Sequence, residues 1–133
     1  MITRRLFAGC ALCAGVGLLS EGAVAQGPGF TRTVLRRIDQ PGDRMATIQV
    51  LVEIDANALV ARHTHPGVET AYVAEGGGMF SMKGETDRAV KAGDTFQVPT
   101  EVPHALRNGP VKTRVVSVYV VDKDKPLASP APE

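Results

Sequence analysis

The sequence is poor in aromatic and thiol side chains and has almost no excess charge. Its 133 residues include no Trp, two Cys and three His; aromatic residues make up 5%, and the formal net charge is +1. A protein that binds nucleic acid needs a clustered surplus of Lys and Arg to contact phosphates, and stacking on bases needs aromatic rings. The composition therefore argues against a nucleic-acid partner, and the length is that of one domain.

Both cysteines lie in an N-terminal stretch that does not read as part of the fold. Arg4 and Arg5 precede an apolar run from Leu6 to Leu19, and the small residues 23–25 form a cleavage signal before Gln26. This pattern predicts a secretory signal peptide over residues 1–25. The apolar run, about 14 residues long, is shorter than the roughly 20 that a membrane-spanning helix needs. We therefore expect a periplasmic protein with no membrane contact after cleavage.

The start of this leader also resembles a known export signal. Residues 3–7 (TRRLF) are similar to the twin-arginine signal, whose receptor moves proteins that have already folded. A lipoprotein signal ending at Cys10 is the alternative, but Cys10 precedes most of the apolar run. Removing Arg4, Arg5 and Glu21 with the leader leaves 13 basic and 13 acidic residues and no cysteine. The mature domain then has neither a disulfide nor a thiolate site.

The remaining chain is a series of short β segments separated by turn residues. Predicted strands are Phe30–Ile38, Thr47–Ile54, Leu59–His65, Ala71–Ala74, Met79–Met82, Arg88–Val90, Thr95–Val98, His104–Arg107 and Lys112–Val121, with a break at residues 66–67. No window has a sustained helical period. This pattern predicts an all-β jelly-roll sandwich or barrel over residues 26–122. Residues 123–133, rich in Pro and Ala, are predicted to be a flexible end or a strap on the surface.

Histidine and carboxylate residues recur at a spacing that suits a metal site. His63 and His65 lie two apart on a strand and therefore share a face. Glu69 follows a Pro-Gly turn that can direct its carboxylate to the same point, and His104 begins another predicted strand. Such a set of nitrogen and oxygen donors suits Fe, Mn, Co, Ni, Cu or Zn rather than Ca or Mg. Exposed strands without a metal also carry His-x-His pairs, so this pair alone does not establish a metal site.

These residues resemble the two motifs of the cupin superfamily. The matching positions are His63, His65, Glu69 and Gly76 in the first motif and Gly93, Pro99, His104 and Asn108 in the second. The motifs cover residues 57–108. The resemblance implies a double-stranded β-helix, which is a jelly-roll β-barrel with a metal ion inside. It implies that His63, His65, Glu69 and His104 are the ligands and that the other four positions shape turns.

Two positions differ from the cupin motifs, because Asn57 and Glu101 each stand where the motif has Gly. Asn tolerates a left-handed backbone, so the first turn can survive. Glu in that conformation costs on the order of 1 kcal/mol. Either the second loop relaxes, or Glu101 is retained for its charge near the mouth of the barrel. We favour the relaxed loop.

The resemblance implies two functions of different classes. The first is a metal-dependent oxidoreductase, similar to the cupin dioxygenases, that acts on a small organic molecule able to chelate through adjacent oxygens. The alternative is an exported cupin that binds a metal or small ligand without catalysis. Export after folding would let a weakly bound ion load in the cytoplasm, so Mn or Fe is favoured over Ni, Cu or Zn. The resemblance also implies a homodimer formed through edge strands.

The residues around the ligands are less clearly assigned. A general base cannot be named: Glu69 could leave the metal and take a proton, and Tyr72 and Gln97 are candidates only as polar residues near the motifs. Apolar residues on predicted barrel strands are expected to form the pocket wall, with ordinary core packing as the alternative for each. These residues are Met79, Phe80, Met82, Phe96 and Leu106.

Overall fold

The computed structural model describes residues 27–42 and 44–133, and the regular elements in these ranges are all β-strands. The predicted signal peptide lies outside the described residues. No helix in the described ranges is long and apolar enough to cross a membrane. The strands are β1 (Phe30–Asp39), β2 (Met45–Ile54), β3 (Leu59–Thr64), β4 (Gly67–Glu75), β5 (Gly77–Met82), β6 (Arg88–Lys91), β7 (Thr95–Val98), β8 (His104–Asn108), β9 (Thr113–Asp122) and β10 (Ser129–Pro130).

The strands form two five-stranded antiparallel sheets. One sheet has the order β1-β2-β9-β4-β7 and the other has the order β10-β3-β8-β5-β6. Consecutive strands such as β3 and β4 therefore lie in different sheets, as the crossing connections of a jelly roll require. The predicted all-β fold, a double-stranded β-helix, is confirmed.

The core lies between the sheets, and alternation along the strands builds it. Every second residue of β2 is buried, and β4 and β9 show the same period, because successive side chains on a strand point to opposite faces. Phe80 of β5 and Phe96 of β7 stack with ring centroids 4.5 Å apart and join the two sheets. Apolar burial between the sheets is therefore the main stabilising contribution to this fold.

One strand begins earlier than the sequence predicts. β4 was expected over Ala71–Ala74 after a break at Gly67, but it begins at Gly67 itself. Gly67 pairs with Val121, and a Cβ at this position would collide with the Val120 carbonyl. The glycine is there to allow close approach of β9 rather than to interrupt the strand.

Asn57 and Glu101 both have a left-handed backbone, with φ of 61° and 60°. The first value agrees with the expectation for Asn57. The second shows that the relaxed loop favoured above is wrong. The Glu101 amide donates to the His65 carbonyl at 3.0 Å, and the Val102 amide donates to Pro99 at 3.2 Å. These bonds fix the turn beside His65, so the backbone keeps the conformation that costs Glu on the order of 1 kcal/mol.

Residues 123–133 form a strap, called here the C-terminal strap. Ser129 and Pro130 pair with β3, and the Ala131 amide donates to the Arg62 carbonyl at 3.1 Å. Leu127 is only 7% exposed and belongs to the core cluster. The segment therefore lies along β3, with Leu127 inside the core rather than on the surface.

Candidate metal centre

A β-bulge turns His63 towards the interior. The register pairs Val60 with Leu106 and His63 with His104, so β3 contains one residue more than β8 between these pairs. Val60 is buried. If side chains simply alternated between the two faces of the strand from Val60 onward, His63 would point outward. The extra residue of the bulge shifts the alternation by one position and turns His63 inward. His65 follows the last residue of β3 and is 1% exposed. The shared face of the two histidines was predicted, whereas the bulge that directs it inward was not.

The structure brings all three histidines together. His104 begins β8 directly opposite His63, with their ring centroids 4.2 Å apart. The ring of His65 lies 4.9 Å from that of His63 and 5.0 Å from that of His104. One nitrogen from each ring lies within 4.8 Å of the other two, so the three histidines can hold a metal ion.

Glu69 reaches the same point from the opposite sheet. It lies on β4 and is 5% exposed. Its Oε2 is 3.2 Å from Nε2 of His65 and 3.4 Å from Nε2 of His104. All four predicted ligand residues therefore converge, three from one side of the barrel and one from the other.

Backbone carbonyls orient the three imidazoles. Nδ1 of His63 lies 2.7 Å from the carbonyl oxygen of Ala61. Nδ1 of His65 lies 2.6 Å from the carbonyl oxygen of Leu127, and Nδ1 of His104 lies 3.0 Å from that of Val102. A carbonyl can only accept, so each Nδ1 carries a proton, and in the neutral form of each ring the lone pair is then on Nε2. Metal-binding histidines are typically fixed in this way.

The Nε2 atoms of His65 and His104 are buried and make no hydrogen bond, although both lie close to Glu69. Burial alone would raise the pKa of Glu69, but the imidazoles of His104 and His65 outweigh it and hold the pKa below its usual range. That effect requires a proton on Nε2; when the imidazoles are neutral with the proton on Nδ1, a lone pair on each Nε2 faces the carboxylate instead. Two acceptors this close repel each other unless a cation lies between them. The donor set therefore fits a metal ion.

His63 is neutral at physiological pH, which also suits a metal ligand. Burial, followed by the charge of His104, lowers the pKa of His63 from 6.5 to about 3. A neutral imidazole has a lone pair to offer, whereas an imidazolium does not. Arg32 of β1 lies beside it, with Nη2 3.4 Å from Nε2 of His63.

Two hydroxyl groups of β9 hold the carboxylate of Glu69 in place, and the sequence analysis missed both. Ser117 Oγ donates to Glu69 Oε1 at 2.7 Å, and Tyr119 OH donates to the same oxygen at 3.0 Å. Burial and the charge of Glu69 raise the pKa of Tyr119, so its hydroxyl stays protonated and keeps donating. The available signal was the period of two that places Ser117 and Tyr119 among the buried valines of β9.

A cavity of about 40 Å³ adjoins the candidate ligands. One water needs roughly 10–15 Å³ on this scale, so the cavity holds about three. Three of the expected wall residues, Phe80, Phe96 and Leu106, line it. The expectation was wrong for Met79, which is 46% exposed, while Met82 packs against the core.

The remaining two polar candidates lie outside the barrel. Tyr72 is 50% exposed, because it alternates with the buried residues Ala71 and Val73 on β4. Gln97 is exposed on β7, where its Nε2 donates to Thr70 Oγ1 at 3.2 Å. Neither side chain points to the cavity, so neither is a general base for a reaction there.

The fold recurs among solved structures. The DMSP lyase DddQ from Ruegeria pomeroyi is 22% identical, with a TM-score of 0.66 over 77% of this chain and 52% of its own, so this chain spans about half its length. A double-stranded β-helix protein from Klebsiella pneumoniae is 19% identical, with a TM-score of 0.66 over 84% of this chain and 91% of its own. The polyketide cyclase RemF from Streptomyces resistomycificus is 23% identical, with a TM-score of 0.63 over 84% and 80%.

Sequence comparison identifies the family. No curated protein matches the sequence. The model of the cupin domain matches residues 50–119, which is more than half of the chain and contains all three histidines and Glu69. The chain therefore belongs to the cupin family.

Proposed function

We propose that this cupin is a metal-dependent enzyme that acts on a small organic molecule with adjacent oxygen donors. The observation that carries the proposal is the convergence of three imidazoles, each with Nδ1 held by a carbonyl, on an ionised and buried carboxylate. The donor atoms of such a site are already oriented towards a common point, so the side chains need little rearrangement to bind a cation. We infer that His63, His65, Glu69 and His104 are the ligands.

The proposed metal is Mn or Fe, ahead of Ni, Cu or Zn. Three imidazoles and a carboxylate form a mixed nitrogen and oxygen set without the thiolates that select soft ions. Elemental analysis of protein purified from its own periplasm tests the choice. We expect stoichiometric Mn or Fe; stoichiometric Zn with neither of them would refute the redox form of the proposal.

The reaction class we propose is oxidation of the dioxygenase type. A bound ion of this kind supplies Lewis acidity, and with Mn or Fe also redox chemistry. The protein's own residues would orient the ligand Glu69 and exclude water from the cavity. Ser117 and Tyr119 hold Glu69 through Oε1, and Phe80 and Phe96 close the cavity with apolar surface. The similar folds of a lyase and a cyclase show that this scaffold accommodates more than one reaction class.

An assay of oxygen consumption tests the proposed activity. The metal-free protein is reconstituted with Fe(II) or Mn(II) and offered catechols, flavonols and diketones. We expect oxygen uptake with at least one class, dependent on the metal and lost in His65→Ala. The matched control is Gln97→Ala, which alters an exposed side chain on the outer surface. Tight metal retention without turnover on any class would refute the enzymatic proposal.

The size of the cavity favours a second candidate, a non-catalytic protein that binds a metal or a small ligand. About 40 Å³ next to the ligands leaves space for a few water-sized groups. Among the described residues that line it, the ionisable groups besides the candidate ligands are Arg32 and Tyr119. The oxygen assay separates the two candidates, because the binding protein retains metal without turnover.

Periplasmic location and a homodimer complete the proposal. The leader-like residues 1–25 support export, and sequencing the N-terminus of the secreted protein tests it, with Gln26 as the expected first residue. The edge strand β1 supports dimer formation through edge strands, because its apolar residues Leu35 and Ile38 are 39% and 65% exposed. Ultracentrifugation should show twice the monomer mass, and Ile38→Lys should lower the measured mass towards that of the monomer.

A further inference from the structure

A second, larger cavity opens beside the candidate metal centre. It is a groove of about 440 Å³, within the range of pockets that bind small molecules. Most of its surface is apolar, and its walls include Phe30 of β1, Leu59 and Ala61 of β3, and Ala128 and Pro130 of the C-terminal strap. We call it the mouth groove.

The mouth groove adjoins the inner cavity, because His63 lines both spaces. The inner cavity of about 40 Å³ has room for the oxygen atoms of a chelating group but not for the carbon skeleton that carries them. A molecule whose oxygens reach the candidate ligands must therefore place its remaining atoms in the adjoining space. An apolar body suits the mouth groove, because burying apolar surface against apolar walls is favourable.

The C-terminal strap contacts both the mouth groove and the candidate metal centre. Ala128, Ser129 and Pro130 form one wall of the groove. The carbonyl of Leu127, the residue directly before them, accepts from His65 Nδ1 at 2.6 Å. The shape of the groove and the orientation of His65 therefore depend on the same short run of the chain, residues 127–130.

The attachment of the strap is weaker than the rest of the fold. Ser129 and Pro130 form a two-residue strand at the edge of the second sheet, and this strand pairs only with β3. A short edge strand opens more readily than the central strands of a sheet, because few hydrogen bonds hold it. A ligand or an ion that binds better to the attached strap shifts the protein towards that state. An occupant of the groove and an ion at the histidines therefore favour the same state.

We propose that the mouth groove, with the C-terminal strap as one wall, binds the apolar body of the substrate, and that the strap couples this site to the metal centre. The inference rests on the proposed function, for which it specifies the substrate class: adjacent oxygen donors at one end of an apolar body. The strap positions both the substrate and His65, although it touches no reacting atom itself.

Binding of the fluorescent probe N-phenyl-1-naphthylamine tests the groove. The probe is uncharged and has no oxygen donors, so it can occupy an apolar site without binding the metal ion. We expect saturable binding that Leu59→Glu weakens at least about tenfold, because the new carboxylate would lie in the wall of the groove. The matched control is Val120→Glu, since Val120 is also 42% exposed but lies on the outer face of β9. Equal probe affinity in the two variants would overturn the assignment of the groove.

The same probe tests the coupling through the strap. In the metal-free protein, Leu127→Ala should weaken probe binding at least about fivefold, because affinity falls with the fraction of molecules that have the strap attached. Saturating Zn(II) should strengthen probe binding to this variant at least about threefold, because the ion favours the attached strap. In the wild type the strap is already attached, so Zn(II) should change probe affinity less than about twofold. An equal response to Zn(II) in the two proteins would overturn the coupling.

A second strap variant and the choice of probe keep this inference separate from the proposed function. If Leu127→Ala does not fold, Ala131→Pro replaces it, because it removes the amide that donates to the Arg62 carbonyl. Probe binding should again weaken and recover with Zn(II), and unchanged probe affinity would overturn the inference. These measurements involve no turnover, so absence of oxygen uptake would refute the proposed activity alone. The loss of probe affinity is measured without metal as well, so it decides on the groove by itself.

Discussion

The orientation of His65 depends on a residue that is distant in sequence, and substituting that residue should weaken metal binding. The carbonyl of Leu127 accepts from His65 Nδ1 at 2.6 Å, across 62 positions of the chain. The side chain of Leu127 is 7% exposed and anchors the C-terminal strap in the core. Leu127→Ala removes the anchor and leaves the carbonyl in the chain.

The size of the effect follows from how few contacts hold the strap. Replacing a buried Leu with Ala costs about 2–5 kcal/mol. The other backbone attachments include the short pairing of β10 with β3, the Ala131–Arg62 hydrogen bond and, at the start of the strap, the bond from the Lys123 amide to the Arg44 carbonyl. Each hydrogen bond contributes about 1 kcal/mol. Without the Leu127 side chain, the strap should therefore be detached much of the time. Loss of such an orienting partner typically lowers metal affinity about 10- to 100-fold.

Competition with a chromophoric chelator measures the affinity for Co(II) or Mn(II). We expect Leu127→Ala to bind at least about tenfold more weakly than the wild type. Val90→Ala is the matched control, since Val90 is 3% exposed on β6 and lies on a strand without candidate ligands. It should lower the thermal midpoint and leave affinity unchanged. Equal affinities for Leu127→Ala and Val90→Ala would refute the orienting role of the strap.

Three further predictions concern the candidate ligands and their support. His104→Ala should lower metal affinity in the chelator assay while circular dichroism still shows a folded barrel; unchanged affinity would remove His104 from the ligand set. Tyr119→Phe deletes one of two donors to Glu69, so affinity should fall about tenfold in the same assay, and no change would contradict its role. His63 binds a proton at a pKa of about 3 when folded and 6.5 when unfolded, so the unfolded chain binds more protons between these values. The free energy of unfolding of the metal-free protein, measured by denaturant titration, should therefore fall by on the order of 1 kcal/mol per pH unit as the pH is lowered from 6.5 towards 3. His63→Ala should show a shallower dependence on pH. Equal slopes in the two proteins would refute the argument that burial lowers the pKa of His63.

Much of the fold could be predicted from local patterns. The strand β7 was predicted with its observed bounds, and β1, β2 and β8 were predicted to within two residues at each end. These segments alternate and are bounded by turn residues, so local periodicity is enough to find them. Gly67 misled the prediction, because a glycine that admits a neighbouring strand looks the same in sequence as one that ends a strand.

The candidate ligands could be predicted, whereas the contacts that orient them could not. His63, His65 and Glu69 lie within a few residues of one another in the sequence, so their spacing alone was enough to identify them as candidate ligands. The bulge in β3 appears only when that strand is aligned with β8, because it is defined by unequal numbers of residues between paired positions. The hydroxyl of Tyr119 meets Glu69 across 50 residues, and no local pattern contains that separation.

The three histidines differ in what fixes them, and this difference couples metal binding to the end of the chain. His63 and His104 donate to carbonyls two residues earlier, so their orientation is set within their own strands and turns. His65 depends on Leu127 in the C-terminal strap. When the strap is detached, only two of the three imidazoles are held in place. If a metal ion binds more tightly to the site with three fixed imidazoles, its binding must stabilise the attached strap by the same free energy. The last residues of the chain therefore form part of the candidate metal centre, although they contribute no side chain to it.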